Sequence, residues 1–502
     1  MTSTLPGSRE IESIPFTHSY AELPGAFHAE VEPTPVREPR LVALNRELAE
    51  ELGLDPEALE SPEGILMLAG NAVPATARPV ALAYAGHQFG GWVPQLGDGR
   101  AILLGELTHR DGRLRDLQLK GSGPTPFSRR GDGRSSIGPV VREYLGSEAM
   151  AALGIPTTRA LSAVVTGDRV LRQNGLEPGG VFVRVASSHV RVGTFEYFAR
   201  QGDADSVRRL ADYVIARHYP DLADRPDPCL ALLEAVVERT ADLVASWLLV
   251  GFIHGVMNTD NTSVTGETLD YGPFGFLDPY RPGEVYSSID RHGRYAYDQQ
   301  PGIAQWNLAR LAETLLLVYE SPEEAVERAR PVIGGFVERF EATYHAGLVR
   351  KVGLVGDDEG DLQLAGELLQ RMARENADFT RTFRELSHLD GEDASGDDAV
   401  RGLFDTPAAF DSWAEDWRLR LASDSRPDEV RQAEMRSVNP AFILRNHLAQ
   451  EAVDAAIESE DFGPMRRLLE VLSRPFEDQP GHEDLARPPE SEERVTRTFC
   501  GT

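Results

Sequence analysis

The feature that most constrains the fold of this chain is a change in apolar periodicity near residue 205. Before it, short apolar runs such as AILLGEL, DLQLK and GGVFVRVA alternate with glycine-containing turns, which predicts strands of one mostly antiparallel sheet. One amphipathic helix is predicted inside that stretch, over residues 137–153, directly after Ser135 and Ser136. Beyond residue 205, apolar residues recur at helical spacing. The sequence therefore predicts an α+β chain in which a β-rich lobe precedes a helical lobe.

This order of elements is that of protein kinases, which hold ATP between a small β-rich lobe with one regulatory helix and a larger helical lobe. We therefore expect a protein-kinase-like bilobal fold. The segment LVALNRELAEELGL has helical periodicity, and the acid-rich stretches DDEGD and GEDASGDD predict solvated loops between helices. The predicted divisions are an N-terminal extension packed on the lobes at 1–78, an N-lobe at 79–203, a C-lobe at 204–354 and an acidic helical C-terminal region at 355–502.

The charge of the chain limits its partners. A net charge of −29 opposes binding to nucleic acids or anionic membranes, because both require a basic surface. The sequence contains no run of about 18 apolar residues, and its first thirty positions are polar and acidic. The two cysteines, Cys229 and Cys500, are too few for a disulfide framework. We therefore expect a cytoplasmic protein that binds neither nucleic acid nor membrane.

Two motifs of the β-rich half suit phosphate binding. In LGDGR, Gly97 and Gly99 would let backbone N–H groups approach phosphate oxygens, and Arg100 would add positive charge, although Asp-Gly is also a favoured hairpin turn. Lys120 ends a predicted strand and Glu143 follows on the lone helix, in the order of the Lys–Glu pair that positions nucleotide phosphates in kinases. A lysine at a strand end is often a solvated surface residue. This chain, however, has only one other lysine, Lys351, which favours a functional role.

The segment HGVMNTDN, followed by the strand-like TSVTGETLDYGPFGFLD with its DYG, predicts a catalytic and metal-binding region. Kinase catalytic loops read H-x-D-x-x-x-x-N, and alignment of that pattern here puts Val256 where the base should be. Asp260 is then the local candidate for deprotonating an incoming hydroxyl. Asn261 and Asp270 are hard oxygen ligands that suit Mg²⁺. The alternative is a helix cap and an Asx turn followed by a hairpin, which would not explain this spacing.

Four further residues are candidates with ordinary alternatives. Arg184 and Arg191 lie seven positions apart near the end of the β-rich half, and an arginine fork fits phosphate oxygens. In this arginine-rich chain, the composition favours an ordinary surface residue at each of the two positions. Asp132 and Gly133, in SRRGDGRSS, are interpretable as a loop turn.

Long segments closely resemble the SelO family, also called YdiU or UPF0061, whose members are described as pseudokinases that adenylylate proteins. The resemblance covers AYAGHQFGGWVPQLGDGRAILLGE, LQLKGSGPTPFSRRGDGRSSIGPVVREYLGSEAM, RVASSHVRVGTFEYFA and HGVMNTDNTSVTGETLDYGPFGFLDPY. It implies an ATP flipped relative to active kinases, so that AMP passes to Ser, Thr or Tyr hydroxyls of proteins with Mg²⁺-pyrophosphate as leaving group. It also implies UMP transfer with Mn²⁺ as a further possibility.

The resemblance implies roles for individual residues. Asp260 matches the proton acceptor, Asn261 and Asp270 match the metal ligands, and Glu143 matches the partner of Lys120. The nucleotide contacts fall on Gly97, Gly99, Arg100, Lys120, Asp132, Gly133, Arg184, Arg191 and Asp270.

The end of the chain departs from the family pattern in one respect. Cys500-Gly501-Thr502 fits the family's tail, whose cysteine in some members pairs with a cysteine after DYG, but the matching position here is Tyr286. A redox lock is therefore not expected, and Cys229 is predicted to be a buried, inert thiol. Two other functions remain open at this point: a kinase that transfers the γ-phosphate, and an inactive nucleotide-binding scaffold.

Overall fold

The strands predicted between residues 80 and 200 form one antiparallel sheet in the computed structural model, which describes residues 10–173, 175–356 and 359–499. The sheet has eight strands in the order β1-β3-β6-β7-β10-β9-β2, with β8 paired to β10. Two short hairpins, β4 with β5 and β11 with β12, lie outside it. The strands are β1 His28–Glu30, β2 Arg40–Leu44, β3 Val80–Leu82, β4 Gly86–Gln88, β5 Gly91–Val93, β6 Ala101–Thr108, β7 Leu114–Lys120, β8 Ser135–Ser136, β9 Arg159–Arg172, β10 Gly175–Ala186, β11 Phe252–Ile253 and β12 Gly275–Phe276.

Helices dominate the chain after residue 190, as the periodicity predicts, and the lone helix of the β-rich half is confirmed. The mixture of one sheet-rich region and many helices agrees with a two-lobed α+β chain. The principal α-helices are α1 Arg46–Glu51, α2 Pro56–Glu60, α3 Pro62–Leu68, α4 Ile137–Ala152, α5 Val192–Ala199, α6 Ala204–His218, α7 Pro228–Leu249, α8 Gln300–Leu315, α9 Pro322–Lys351, α10 Glu359–Arg374, α11 Phe379–Leu386, α12 Asp398–Arg401, α13 Pro407–Leu421, α14 Asp428–Arg436, α15 Asn446–Ser459, α16 Gly463–Leu472 and α17 Glu483–Ala486.

The N-terminal segment is part of the sheet rather than only a layer upon it. Strand β1 forms one edge and β2 the other, so the helix predicted for LVALNRELAEELGL is wrong in its first half. The helix begins only at Arg46, because the Asn45 side chain caps it by accepting a hydrogen bond from Leu48 N–H. Helices α1 to α3 then cover one face of the sheet, where Leu48 and Met67 pack with Leu161 of β9 in a continuous apolar cluster.

The opposite face of the sheet is covered by α4, and the C-terminal helices return to pack on α4 in turn. A Cβ placed on Gly138 would lie 2.8 Å from Ile457 Cδ1 of α15, so glycine permits the close approach of the two helices. Val141 of α4, Phe182 of β10 and Ala452 of α15 belong to one buried apolar cluster. The end of the chain therefore supports the helix that carries Glu143.

Two predicted loop and strand assignments differ from the structure. The stretch after HGVMNTDN is mostly turns, and only Gly275–Phe276 pairs as a strand, because Gly266 and Asp270 adopt φ values of +74° and +65° that interrupt an extended chain. The loop predicted for DDEGD is wrong at residues 359–361, which begin α10, and its first two residues lie outside the described residues. GEDASGDD connects α11 to α12 as predicted, but it contains a 3-10 turn at Ala394–Gly396 and its last residue, Asp398, begins α12. Within the described ranges, no helix is long and apolar enough to cross a membrane.

Candidate active site

A cleft of about 840 Å³ brings the predicted site residues together. Strands β6, β7 and β10 and helix α4 form one wall, and the HGVMNTDN and DYG segments form the other. Every residue proposed from the sequence for nucleotide, metal or proton chemistry lines this cleft: Gly97, Gly99, Arg100, Lys120, Asp132, Gly133, Glu143, Arg184, Arg191, Asp260, Asn261 and Asp270.

The LGDGR segment is a buried structural loop rather than an exposed hairpin turn. The Asp98 carboxylate is 2% exposed and accepts hydrogen bonds from Leu82 N–H and Gln118 Nε2, each at 3.1 Å. Gly97 adopts a φ of +70°, and a Cβ there would lie 2.4 Å from the Phe127 ring. The hydrogen bonds of the buried Asp98 side chain thus hold the loop in place, while Gly97 and Gly99 line the cleft.

The predicted lysine and glutamate pair is formed. Lys120 Nζ lies 2.6 Å from Glu143 Oε2 and 2.9 Å from Asp270 Oδ1. Glu143 sits on the buried face of α4, whose position is set by the sheet and by α15. Lys120 is therefore held at the cleft wall by two carboxylates, with its charge directed into the site.

Asp270 collects three cations around one carboxylate. Lys120 and Arg184 contact Oδ1, and Arg191 Nη1 donates to Oδ2 at 3.1 Å. Burial alone would raise the pKa of Asp270, but the three cations hold that pKa well below its ordinary value. The residue also adopts a φ of +65°, a conformation that costs free energy in a non-glycine residue. Asp270 is therefore a carboxylate whose ionised form the three cations favour, held in a strained backbone position.

The two arginines are interior residues, which excludes the surface interpretation. Arg184 is 1% and Arg191 is 2% exposed. The guanidinium group of Arg191 stacks on the Tyr84 ring at 4.3 Å, and its Nη1 also donates to the Asp260 carbonyl oxygen at 2.9 Å. One guanidinium nitrogen thus joins the Asp260 backbone to the Asp270 carboxylate.

Asp260 has the environment of a proton acceptor. Its Oδ2 accepts a hydrogen bond from Gln88 Nε2 at 3.1 Å, whereas its buried Oδ1 has no hydrogen-bond partner among the described residues. Burial raises the pKa of Asp260 to about 6, and the Gln88 hydrogen bond and the Arg191 charge offset part of that rise. A carboxylate with one oxygen that makes no hydrogen bond and with a pKa near neutrality suits general base catalysis.

A buried network that the sequence analysis missed positions this loop. Thr259 Oγ1 donates to Glu196 of α5, His87 Nδ1 lies 2.5 Å from the same carboxylate, and His87 N–H donates to Thr259 Oγ1 at 2.7 Å. Asn258 Oδ1 accepts from Phe89 N–H at 3.1 Å. The sequence signal was weak: His87 and Glu196 stand among glycine, apolar and aromatic residues in AYAGHQFGGW and GTFEYF, and periodicity could not assign partners to them.

The donor set of the site fits Mg²⁺. Asn261 Nδ2 donates to the Val256 carbonyl at 3.0 Å, so its Oδ1 remains for a ligand, and together with the Asp270 carboxylate it gives an all-oxygen set. Among the described residues, no three His, Cys, Asp or Glu side chains are grouped as a metal site. That is compatible with Mg²⁺, which uses one or two carboxylates and relies on water and substrate phosphates.

Asp132 and Gly133 lie at the mouth of the cleft, apart from the cation cluster. Asp132 pairs with Arg172 at 2.8 Å and accepts from Arg134 N–H at 2.9 Å, and half of its side chain is exposed. Gly133 has a φ of +65° and packs on the backbone of Gly123, where a Cβ would clash at 2.1 Å. The loop-turn interpretation describes their contacts, and their position leaves a nucleotide role as a prediction.

The C-terminal tail lies against the segment after DYG. Thr498 N–H donates to the Tyr286 carbonyl at 2.7 Å, and Ser288 N–H donates to the Thr498 carbonyl at 3.0 Å. Phe499 lines the cleft, and Cys500 lies outside the described residues. The tail meets this segment through backbone hydrogen bonds, while the buried Tyr286 side chain donates its hydroxyl to the Phe276 carbonyl.

Cys229 is buried near the start of α7, where burial raises the pKa of its thiol to about 11, as expected for an inert cysteine.

Comparisons with known proteins agree with this site. Residues 10–473 match the family model described as "Protein adenylyltransferase SelO". Proteins named "Protein nucleotidyltransferase YdiU" are similar over 97% of this chain and 99% of their own length: they are 63% identical in Alkalilimnicola ehrlichii, 60% in Methylorubrum extorquens strain PA1 and 58% in Bradyrhizobium sp. strain ORS 278. The match runs through both walls of the cleft, and the chain therefore belongs to the SelO family.

Proposed function

We propose that this chain is a protein adenylyltransferase with a protein-kinase-like bilobal fold, which transfers AMP from ATP to Ser, Thr or Tyr hydroxyls of other proteins. Its N-lobe would comprise residues 79–203 and its C-lobe residues 204–354, with the segments 1–78 and 355–502 packed around them. Membership in the SelO family supports the activity, and the cleft between sheet and helices supports the architecture.

One observation carries the proposal. The cleft places a buried carboxylate with one oxygen that makes no hydrogen bond, Asp260, near a carboxylate surrounded by three cations, Asp270, while Val256 occupies the position of the kinase base. A γ-phosphoryl transferase of the usual kinase type would need a carboxylate at position 256. The displaced base instead fits an acceptor that attacks a different phosphorus of ATP.

In the proposed reaction, the acceptor hydroxyl loses its proton to Asp260 while its oxygen attacks the α-phosphorus. The bond from that phosphorus to the oxygen bridging to the β-phosphorus breaks, and pyrophosphate leaves. Lys120, Arg184 and Arg191 are placed to neutralise the phosphate oxygens, and the loop at Gly97 and Gly99 offers backbone N–H groups to them. Asn261 and Asp270 would hold Mg²⁺, which supplies further neutralisation of the charge that develops on the leaving group.

The deciding experiment uses ATP labelled at the α- or the γ-phosphate, with Mg²⁺, the purified chain and a bacterial protein extract as acceptor. Label on protein from α-ATP alone is the expected result. Label from γ-ATP alone would identify a kinase, and label from neither would favour an inactive scaffold. The same assay with α-labelled UTP and Mn²⁺ tests UMP transfer.

Asp260→Asn provides a matched test of the base. Because a positioned general base contributes about 10²- to 10⁴-fold, the variant should transfer AMP at least about 100-fold more slowly. Asp224→Asn, which changes an exposed carboxylate outside the cleft, is the control and should retain the wild-type rate. An Asp260→Asn variant with a wild-type rate would remove the assigned base.

A further inference from the structure

A second cavity of about 880 Å³ adjoins the cleft. Phe89 and Ile289 line both cavities, so the two spaces meet at these side chains. Ile289 is 58% exposed, so an apolar side chain is available at the junction of the two cavities. We use the term acceptor groove for this second cavity, whose other walls come from residues 283–303.

The acceptor groove is joined directly to the proposed base. Gln88 donates to Asp260, and the next residue, Phe89, donates its backbone N–H to Asn258 Oδ1 and to the Tyr295 hydroxyl, both at 3.1 Å. A protein that brings a hydroxyl to Asp260 must place the residues beside that hydroxyl within a few ångströms of Phe89. The adjoining space at Phe89 and Ile289 is therefore where those residues would lie.

Arginines face the groove without partner carboxylates. Arg291 and Arg294 line it, and Arg497 of the C-terminal tail joins Arg291 at the neighbouring surface cavity. None of the three forms an ion pair within the part of the chain that the structure describes. Arg294 is held in place by stacking on the Trp306 ring at 4.9 Å. In a chain with a net charge of −29, this basic strip is a local exception.

The two acidic residues that line the groove have donors of their own. Asp290 is 8% exposed, and its carboxylate accepts the backbone N–H groups of Arg294 at 3.0 Å and Tyr295 at 2.8 Å. Asp298 accepts from Gln299 Nε2 at 3.0 Å. Because Asp290 is buried, Asp298 is the one exposed carboxylate among the described residues that line the groove, and the two arginines Arg291 and Arg294 outnumber it.

We infer that the acceptor groove binds the polypeptide segment that flanks the modified hydroxyl, and that it prefers segments with acidic residues beside an apolar one. This inference rests on the proposed function and adds to it the class of acceptor. The apolar residue would pack on Phe89 and Ile289, and the acidic residues would meet Arg291 and Arg294. Like-charged, basic segments would be disfavoured.

The test uses the full chain, Mg²⁺, α-labelled ATP and three synthetic peptide pools with a central Ser, Thr or Tyr. The pools share an apolar neighbour and differ only in flanking Asp/Glu, Ser/Gly or Lys/Arg. Because an exposed charge pair contributes up to about 1 kcal/mol, we expect the acidic pool to be labelled roughly fivefold faster than the neutral pool, and the basic pool more slowly still.

Charge reversal at Arg291 then tests whether the acceptor groove causes the preference for acidic segments. Arg291→Glu should lower the acidic-to-basic labelling ratio by roughly fivefold or more, whereas Arg209→Glu, on the exposed side of α6 and outside both cavities, should leave it unchanged. Equal labelling of all pools by the wild type would overturn this inference alone. If the wild type labels no pool and no protein in the extract, the proposed function fails and the inference fails with it. An unchanged ratio in Arg291→Glu would show that the preference arises elsewhere.

Discussion

Asp270→Asn tests whether one carboxylate balances the cations of the cleft. The amide keeps the size and shape of the side chain but removes its charge, so three buried or half-buried cations lose their common partner. We expect the ligand-free variant to fold but to be less stable, to lose Mg²⁺-dependent transfer and to gain affinity for ATP without metal. The last effect follows because the triphosphate would supply the missing negative charge.

The size of the destabilisation follows from the contacts that remain. Removing one member of a buried ion pair costs about 3 to 5 kcal/mol. Lys120 keeps Glu143 at 2.6 Å and Arg184 keeps it at 3.3 Å, so the loss falls mainly on Arg191, whose next carboxylate, Asp98, is 3.8 Å away. We therefore expect the lower end, about 3 kcal/mol. With an unfolding entropy of roughly 1 kcal/mol/K for a chain of this length, the midpoint should fall by about 3 °C.

Thermal unfolding with and without ATP, in EDTA and in Mg²⁺, measures both effects. ATP at about 100 times its Kd stabilises a protein by about 2.7 kcal/mol, and in EDTA the shift should be larger for Asp270→Asn than for the wild type. Asp224→Asn is the control for loss of an exposed carboxylate. An unchanged midpoint in the ligand-free variant, or full Mg²⁺-dependent transfer, would refute the argument.

Two other changes test groups outside the cation cluster. Lys351 is 3% exposed, and its ammonium group lies over the Phe383 ring at 4.3 Å. Burial lowers the pKa of Lys351 to about 7. Since the buried charge costs stability, Lys351→Met should raise the free energy of unfolding by about 2 kcal/mol at pH 7 and below. Because the pKa of Lys351 in the folded protein lies below its unfolded value of about 10.4, the stability of the wild type should rise with pH between these two values. The melting midpoints of the wild type and of Lys351→Met should therefore approach each other from pH 7 to 10, and a constant difference would contradict the argument. Glu196→Gln should lower kcat for AMP transfer roughly tenfold with little change in ATP affinity, because its carboxylate holds Thr259 beside Asp260. Steady-state kinetics and calorimetric titration of ATP separate the two effects, and an unchanged kcat would show that the loop keeps its position without that carboxylate.

The sequence predicted the parts of the site that depend on local order along the chain. A strand ending at Lys120 and a lone helix carrying Glu143 follow from periodicity, and the pair that they form is present. For Arg184 and Arg191 the composition favoured the surface, and that interpretation is wrong because the sheet and the DYG turn bury both side chains. Asp98 was part of an apparent hairpin turn for the same reason, since its partners Leu82 and Gln118 are distant in sequence.

Contacts between the ends of the chain were also beyond local patterns. Residues 40–44 are helix-like in sequence but become an edge strand because β9 offers a pairing partner, which tertiary structure alone determines. The same holds for the packing of α15 on α4, and for the tail, whose Thr498 pairs with the backbone at Tyr286 and Ser288. The roles assigned to Asp132 and Gly133 stay predictions, since their contacts are those of a loop.

The arrangement around Asp270 explains how a strained active site persists before substrate arrives. The three cations Lys120, Arg184 and Arg191 repel one another, and the backbone of Asp270 is strained at a φ of +65°. The ion pairs that the three cations form with the Asp270 carboxylate offset both costs. When a triphosphate enters, its oxygens can replace the Asp270 contacts of Lys120, Arg184 and Arg191, which leaves the Asp270 carboxylate open to a metal ion. Because Arg191 also donates a hydrogen bond to the Asp260 carbonyl oxygen, a movement of its guanidinium group toward phosphate would change the position of Asp260. If the proposed roles hold, nucleotide binding and the position of Asp260 are therefore coupled through the Arg191 side chain.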